Sequence, residues 1–298
     1  MTADMQQNID RPLIQTMLFP LAKRFVAGDN AHVAMESIKR LNADGFRTTV
    51  ALLGEDVHSS READSVADQQ HALIDCIARY NVDTNISLKL SSLGQRVDND
   101  EALRRFCALL EHASNVLYDP FIRIDMEGYE RLPETLQTFE AVWKDHPNTG
   151  PVLQAQLLRT PGDVERMIEL GVRTRLCKGA YREPASRTVG SIQAVRTQFV
   201  TCAEALLERG VYCAIATHDD DILERLKAFI ALQAIKLDSF EFQMLYGVRP
   251  DLQRALAAEG YRVRIYVPYG THWAKYFRRR VMERPENLMF ALQAIINS

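Results

Sequence analysis

The sequence predicts an α/β chain folded as one (βα)8 TIM-type barrel, with a helical extension before the first strand and the last helix over the barrel mouth. Three observations carry this expectation. Eight short apolar runs rich in β-branched residues recur along the chain, segments of helical spacing separate them, and 298 residues is a length such barrels occupy without splitting. The runs are RTTVALL (47–53), NISLKLS (85–91), FIRID (121–125), PVLQAQL (151–157), VRTRLCK (172–178), VYCAIAT (211–217), FEFQML (240–245) and RVRIYVP (262–268). Between them lie READSVADQQHALIDCIARY, EALRRFCALLEHASNVL, PGDVERMIELG and SIQAVRTQFVTCAEALLERG, many of them ending on the Gly or Asn that closes a helix. Regular alternation of strand and helix demands parallel strands joined by crossover helices, and eight such units over about 250 residues match a closed barrel. A doubly wound open sheet is the weaker alternative, since no strand-to-helix turn carries G-x-G-x-x-G. Residues 1–46 read as the helical extension and 47–298 as the barrel domain.

With 47% hydrophobic and 25% charged residues and a net charge of -3, the composition is that of an ordinary globular protein, and nothing in it predicts nucleic-acid binding. The cysteines, Cys76, Cys107, Cys177, Cys202 and Cys213, are odd in number and never form C-x-x-C, which argues against a disulfide framework or zinc knuckle and fits a reducing cytoplasm. The first residues, MTADMQQNIDRPLIQTMLFPLAKRF, have neither the order of a signal peptide nor an uninterrupted span for a membrane.

In a barrel of this kind, polar residues just past each strand converge on one mouth. Those residues are Glu55 and Asp56, Lys89, Asp125 and Glu127, Gln154 and Gln156, Arg175 and Lys178, Thr217 and His218, Gln243, and Tyr266 with Tyr269. Asp125 closes an apolar strand, a position where a plain turn-capping role competes with a functional one. In RTRLCKGAYREP, Arg175 and Cys177 share one strand face, Leu176 and Lys178 the other, and Gly179 allows close backbone approach to a ligand. Lys178 fits a Schiff-base nucleophile, a phosphate ligand or a salt-bridged strand end. ATHDDD suggests metal ligands, yet Asp219 and Asp220 equally suit the start of the helix that follows. Only His272 joins His218 at a predicted mouth, while His32, His58, His71, His112 and His146 fall in helices or loops, so no metal is expected. After the eighth strand comes YFRRRVMERPEN. At about 100° per residue, Tyr276, Arg279, Arg280 and Glu283 share one helical stripe and Arg278 lies opposite Arg280. Two guanidiniums on one face grip a carboxylate or phosphate, whereas a solvated basic face does not account for the shared aromatic and glutamate.

The ordered set ISLKLSSLG, IRIDMEG, VLQAQLLRT, RLCKGAYREP, ATHD, EFQMLYGVRPDLQ, RIYVPYGTH and YFRRRVMERPENL resembles the monofunctional bacterial proline dehydrogenases, which are flavoenzymes. ATHD alone is weak, but the whole series in this order is specific. The resemblance implies FAD at the C-terminal mouth, oxidation of L-proline to Δ1-pyrroline-5-carboxylate, and electron delivery to a membrane quinone, with peripheral contact at the inner face of the membrane and hand-off to a pyrroline-5-carboxylate dehydrogenase. It assigns Arg279, Arg280 and Lys89 to the proline carboxylate, Asp125 to the active-site aspartate, and Arg175 to the position beside flavin N5. Met126, Gln154, Lys178, Gly179, Ala180, Thr217, His218 and Glu283 correspond to cofactor contacts, and Leu176, Tyr181, Leu245, Tyr266 and Tyr276 to the substrate wall. Two departures stand out: Cys177 replaces an aliphatic residue, which makes thiol oxidation an expectation if it is exposed, and Gln156 replaces a tyrosine. A lyase using Lys178 or His218, and a barrel kept only as a binding module, are the competing functions.

From the helical stripe, Arg280→Met is expected to weaken proline binding by about 2–5 kcal/mol, the scale for losing a buried charge partner, while Arg278→Met barely changes it. Equal effects of the two substitutions on the proline dissociation constant would refute the stripe.

Overall fold

The computed structural model describes residues 22–54 and 57–277. In chain order its elements are α1 (Ala31–Ala43), β1 (Arg47–Leu52), α2 (Ser60–Tyr80), β2 (Thr84–Leu88), α3 (Asn99–Val116), β3 (Ile122–Ile124), α4 (Leu132–Trp143), β4 (Thr149–Gln154), α5 (Thr160–Leu170), β5 (Arg173–Cys177), α6 (Ile192–Arg209), β6 (Tyr212–Ala216), α7 (Asp220–Leu232), β7 (Phe240–Leu245), α8 (Pro250–Ala258) and β8 (Val263–Tyr269). The strands form a closed parallel barrel in sequence order. Closure is made by β1 and β8, in register from Arg47 opposite Arg264 to Leu52 opposite Tyr269. All eight predicted strands are present. β2 stops at Leu88 because Lys89 leads into a short 3-10 turn, Leu90–Leu93, closed by Gly94 at φ 92.

Local chemistry sets the helix ends. Ser59 accepts from the Glu62 N–H at 3.3 Å while the Glu62 carboxylate accepts from the His58 N–H at 2.7 Å, a reciprocal pair that satisfies the first turn of α2. The same helix ends on Asn81 at φ 49, and α5 ends on Gly171 at φ 69. Helix α1 is capped by Asn30 and packs on β1, β8 and α2. Outward strand residues such as Ile86, Ile124, Leu153, Leu176, Ile215, Phe242 and Ile265 meet buried helix residues such as Ile38, Leu73, Phe106, Phe139, Phe199 and Leu226 in one core. Burying each such side chain contributes about 1.5–3 kcal/mol.

Inside the barrel the residues are polar, where branched apolar side chains usually fill such a space. Arg264 donates to Glu241 at 2.7 Å and to the Thr48 carbonyl at 2.5 Å, and their side chains are only 3% and 1% exposed. Tyr212 donates to the same carboxylate at 3.0 Å. Arg123 lies below, giving its Nη1 protons to the Pro151 and Arg173 carbonyls, and Phe121 stacks under both Arg123 and Arg173. Gly150 faces this arginine; a Cβ there would lie 2.3 Å from the Arg173 carbonyl oxygen, so the floor closes only over a residue without a side chain.

Burial raises the Glu241 carboxyl's pKa, but the Arg264 charge and hydrogen bonds from Arg264, Gln243 and Tyr212 outweigh it, and it stands at about 2 against an ordinary 4.5. A folded-state pKa below the unfolded one gives stability that is complete above about pH 4.5 and lost as pH falls toward about 2. Urea denaturation should show that slope, and Glu241→Gln should cost about 3–5 kcal/mol at neutral pH by leaving Arg264 buried without its counter-charge.

Candidate active site at the barrel mouth

Asp125 follows β3 and is the hub of the mouth. Its Oδ1 accepts from Ser87 Oγ of β2 at 2.7 Å and from Arg175 Nη1 of β5 at 2.7 Å, and its Oδ2 accepts from the Tyr266 hydroxyl of β8 at 2.7 Å. The ion pair is largely desolvated, with side-chain exposures of 16% for Asp125 and 7% for Arg175. Arg175 also bonds Ser87 Oγ at 3.2 Å and Gln243 Oε1 at 2.5 Å, and its guanidinium lies 5.5 Å from the centre of the Tyr266 ring. Burial first, then the Asp125 carboxylate, raise the Tyr266 phenol well above its ordinary pKa, so it is a donor in this cluster.

A cavity of about 1270 Å³ opens over this cluster and is lined by Ser87, Lys89, Asp125, Tyr181, Tyr266 and Tyr276, among others. Besides Ser87, these are the predicted carboxylate lysine, the hub aspartate and three of the predicted wall residues. Tyr276 is held from behind by a small second core in which Phe25 and Val26 pack with Trp273 and Phe277. On one side the loop after β5 folds over the loop after β3: Glu183 accepts from the Tyr129 N–H at 2.8 Å, and the Arg187 guanidinium lies 4.8 Å from the centre of the Tyr129 ring. Below it, Glu127 accepts from Ser91 at 2.9 Å and from Arg131 at 2.6 Å.

The predicted cofactor residues that fall among the described ones stand at or just past the ends of β3, β4, β5 and β6. Gln154 is buried and donates to the Glu127 carbonyl at 2.9 Å, and Met126, the residue after Asp125, is also buried. Gly179 holds φ 110, a conformation that favours glycine, and a Cβ there would lie 2.4 Å from Gln156 Cδ and push that side chain aside. Ala180 next to it is exposed. Lys178 and Arg196 both bond Asp219 Oδ2, Arg196 at 2.8 Å, and the Thr217 hydroxyl accepts from the Asp219 N–H at 3.2 Å. Burial acts to raise the Asp219 pKa, yet the Lys178 and Arg196 hydrogen bonds and charges win and it is lowered. Asp219 therefore spends its carboxylate on two cations and makes no side-chain cap for α7. Arg196 Nη1 also pairs with Asp221 Oδ2 at 3.0 Å, and Lys178 and Arg196 remain about a third exposed, at 29% and 31%.

His218 accepts from the Leu245 N–H through Nε2 at 2.9 Å, which commits that lone pair and puts the ring proton on Nδ1. Among the described residues no group of three His, Cys, Asp or Glu side chains is placed to hold a metal ion. The ammonium of Lys178 is paired with Asp219, the salt-bridged strand end that the sequence offered as one reading. Two expected wall and mouth residues lie elsewhere. Leu176 and Tyr269 alternate with the inward Arg175 and Pro268, so they point outward and sit in the core between barrel and helices. Arg278, Arg279, Arg280 and Glu283, with Glu55 and Asp56, lie outside the described residues. Ser87, Glu241, Arg264 and Arg196 were not singled out by the sequence; for the first three the signal was a polar residue at every second position of an otherwise apolar strand, as in FEFQML, whereas Arg196 lies on α6 and carried no such signal.

A family model for proline dehydrogenase matches residues 34–293. The chain belongs to the proline dehydrogenase family. It is 41% identical to proline dehydrogenase 1 of Bacillus subtilis (strain 168), over 92% of this chain and 90% of that one, and 37% identical to proline dehydrogenase of Deinococcus radiodurans, over 96% and 95%. In fold it is similar to proline utilization A of Bdellovibrio bacteriovorus, solved after inactivation by N-propargylglycine, at a TM-score of 0.84 and 23% identity. The match covers 91% of this chain and 33% of that one, so this chain spans about a third of that longer protein. Within this proline dehydrogenase family chain, all five cysteines are free thiols, and no helix among the described residues is long and apolar enough to cross a membrane.

Burial pushes the Cys177 thiol up to about 11, against the smaller opposing effect of Arg175. Alkylation of Cys177 by iodoacetamide at pH 8, followed by peptide mass mapping, should therefore run on the order of a hundredfold slower than for a free thiol. Labelling at the free-thiol rate would restore the expectation of an oxidation-sensitive site.

Proposed function

We propose that the protein oxidises L-proline to Δ1-pyrroline-5-carboxylate, the first step of proline catabolism, with FAD as its cofactor and a membrane quinone as the final electron acceptor. The observation that carries this is the cluster of Ser87, Asp125, Arg175 and Tyr266 facing a mouth cavity in a chain of this family. Bound FAD supplies the acceptor for the two electrons that leave the substrate ring. Lys178, Arg196 and Thr217 offer the charges and hydroxyl that suit its phosphates, with Met126, Gln154, Gly179, Ala180, His218 and Glu283 as the remaining cofactor positions. Arg175 is the cation suited to negative charge developing on the reduced cofactor.

Lys89, Arg279 and Arg280 bind the substrate carboxylate. Tyr181, Tyr266 and Tyr276, with Leu245, pack the five-membered ring and exclude water, so that most of the acceleration comes from orientation. Asp125 acts as an organiser. Both of its oxygens already accept hydrogen bonds from Arg175, Ser87 and Tyr266, which leaves it poorly disposed to take a proton from the substrate nitrogen. The cyclic imine product is reactive and passes to a pyrroline-5-carboxylate dehydrogenase. The enzyme works in the cytoplasm with peripheral contact at the inner face of the membrane, where the quinone is.

Purified protein should be yellow, and its visible flavin bands should bleach on adding L-proline without oxygen. Colourless protein that gains no activity with added FAD would sink the proposal.

A further inference from the structure

The Arg175 guanidinium is gripped on two sides. Asp125 and Ser87 hold Nη1, and Gln243 Oε1 accepts from Nε at 2.5 Å. Gln243 is itself buried, and its Nε2 donates to Glu241 Oε1 at 2.5 Å. This amide has a single workable orientation. Arginine only donates and a carboxylate only accepts, so turning the amide over would set donor against donor and oxygen against oxygen. Glu241 cannot turn either, because Arg264 and Tyr212 bind its two oxygens. A continuous chain of hydrogen bonds thus runs from the barrel floor to the mouth through Arg264, Glu241, Gln243, Arg175, Asp125 and Tyr266.

We propose that Gln243 and Glu241 are positioning residues of the reaction: the floor carboxylate, acting through the Gln243 amide, fixes the plane of Arg175 at the site. The inference rests on the proposed function, in which Arg175 serves the reacting centre. It adds a chemical requirement at position 243, namely a neutral side chain that accepts on one side and donates on the other. A carboxylate there would face Glu241 and cancel the charge of Arg175. An apolar residue would leave the Arg175 Nε and a Glu241 lone pair buried without partners.

The charged and titratable groups around position 243 are Glu241 on its own strand, Arg175 on β5, Arg264 on β8, Tyr212 on β6, and, one step further, Asp125, Tyr266 and the buried Arg123, whose charge acts on both Arg175 and Glu241. The test uses two variants of the flavin-loaded enzyme, with folding checked by thermal melting and flavin content. In Gln243→Glu, the protonated acid reproduces both contacts, its hydroxyl donating to Glu241 and its carbonyl accepting from Arg175, and the ionised acid breaks both effects. Its kcat/KM for L-proline is expected to approach the wild-type value at the acid end and to fall about tenfold or more as pH rises, a limb that the wild type lacks. In Gln243→Met, kcat/KM is expected to drop about tenfold to a hundredfold at every pH. A Gln243→Glu profile parallel to the wild type would overturn the inference, and so would a Gln243→Met enzyme within twofold of wild type, which alone carries the test if the glutamate variant does not fold. If the wild type fails to oxidise L-proline, the proposed function falls and this inference with it, whereas active wild type with unaffected variants overturns the inference alone.

Discussion

The barrel depends on keeping the Asp125–Arg175 ion pair inside a nearly closed space. Removing two charges from water costs several kcal/mol per ion, and their attraction offsets this only when the remaining donors and acceptors are also satisfied. The chain meets that condition with groups from three further strands. Ser87 of β2 and Tyr266 of β8 complete the carboxylate, and Gln243 of β7 completes the guanidinium of β5. Each contact fixes the register of a strand, because a slip by one residue would turn these side chains into the apolar shell.

The same logic extends downward. Gln243 needs an acceptor, which Glu241 supplies, and Glu241 needs a cation, which Arg264 supplies while also bonding the Thr48 carbonyl on β1. The bond to Thr48 crosses the β1–β8 seam where the barrel closes. Closure of the fold and orientation of the mouth arginine are therefore two ends of one polar chain, and apolar side chains in these positions would fill the space without linking them. Arg123 sits at the edge of this arrangement, its pKa pushed down by burial and then by the charge of Arg175, and it is accommodated by carbonyl oxygens and by the face of Phe121.

How much of this was legible follows from the range of each interaction. The strands were legible because each carries its own run of apolar, β-branched residues, and β4, read as 151–157, begins two residues earlier because Thr149 and Gly150 break that pattern while serving the floor, and ends three residues earlier at Gln154. Asp125, Arg175, Lys89 and Tyr266 were legible as polar residues at strand ends. Ser87 and Gln243 take their meaning from partners 38 and 68 residues away, across a register that only the closed barrel defines. Asp219 looked like a helix cap because it stands at the cap position. Its carboxylate instead binds Lys178 and Arg196, since two nearby cations outweigh the gain from one backbone N–H.

Charge balance at the mouth then bears on the substrate. Arg175 is matched by Asp125, and Lys178 and Arg196 are matched by Asp219 and Asp221, with Arg196 Nη1 lying 3.0 Å from Asp221 Oδ2, so neither group carries an uncompensated positive charge. A bound carboxylate needs a cation of its own within the cavity. Lys89 lines that cavity directly after β2, and the arginine run follows Phe277 directly in the sequence. On the proposed function, Lys89, Arg279 and Arg280 neutralise the substrate carboxylate, while the matched Asp125–Arg175 pair stays fixed as the ring is oxidised. That division explains why the wall between them is built from Tyr266 and Tyr276. Each gives an apolar face to a ring, and the Tyr266 hydroxyl is already committed to Asp125, which leaves that part of the wall without a free donor to hold water against the substrate.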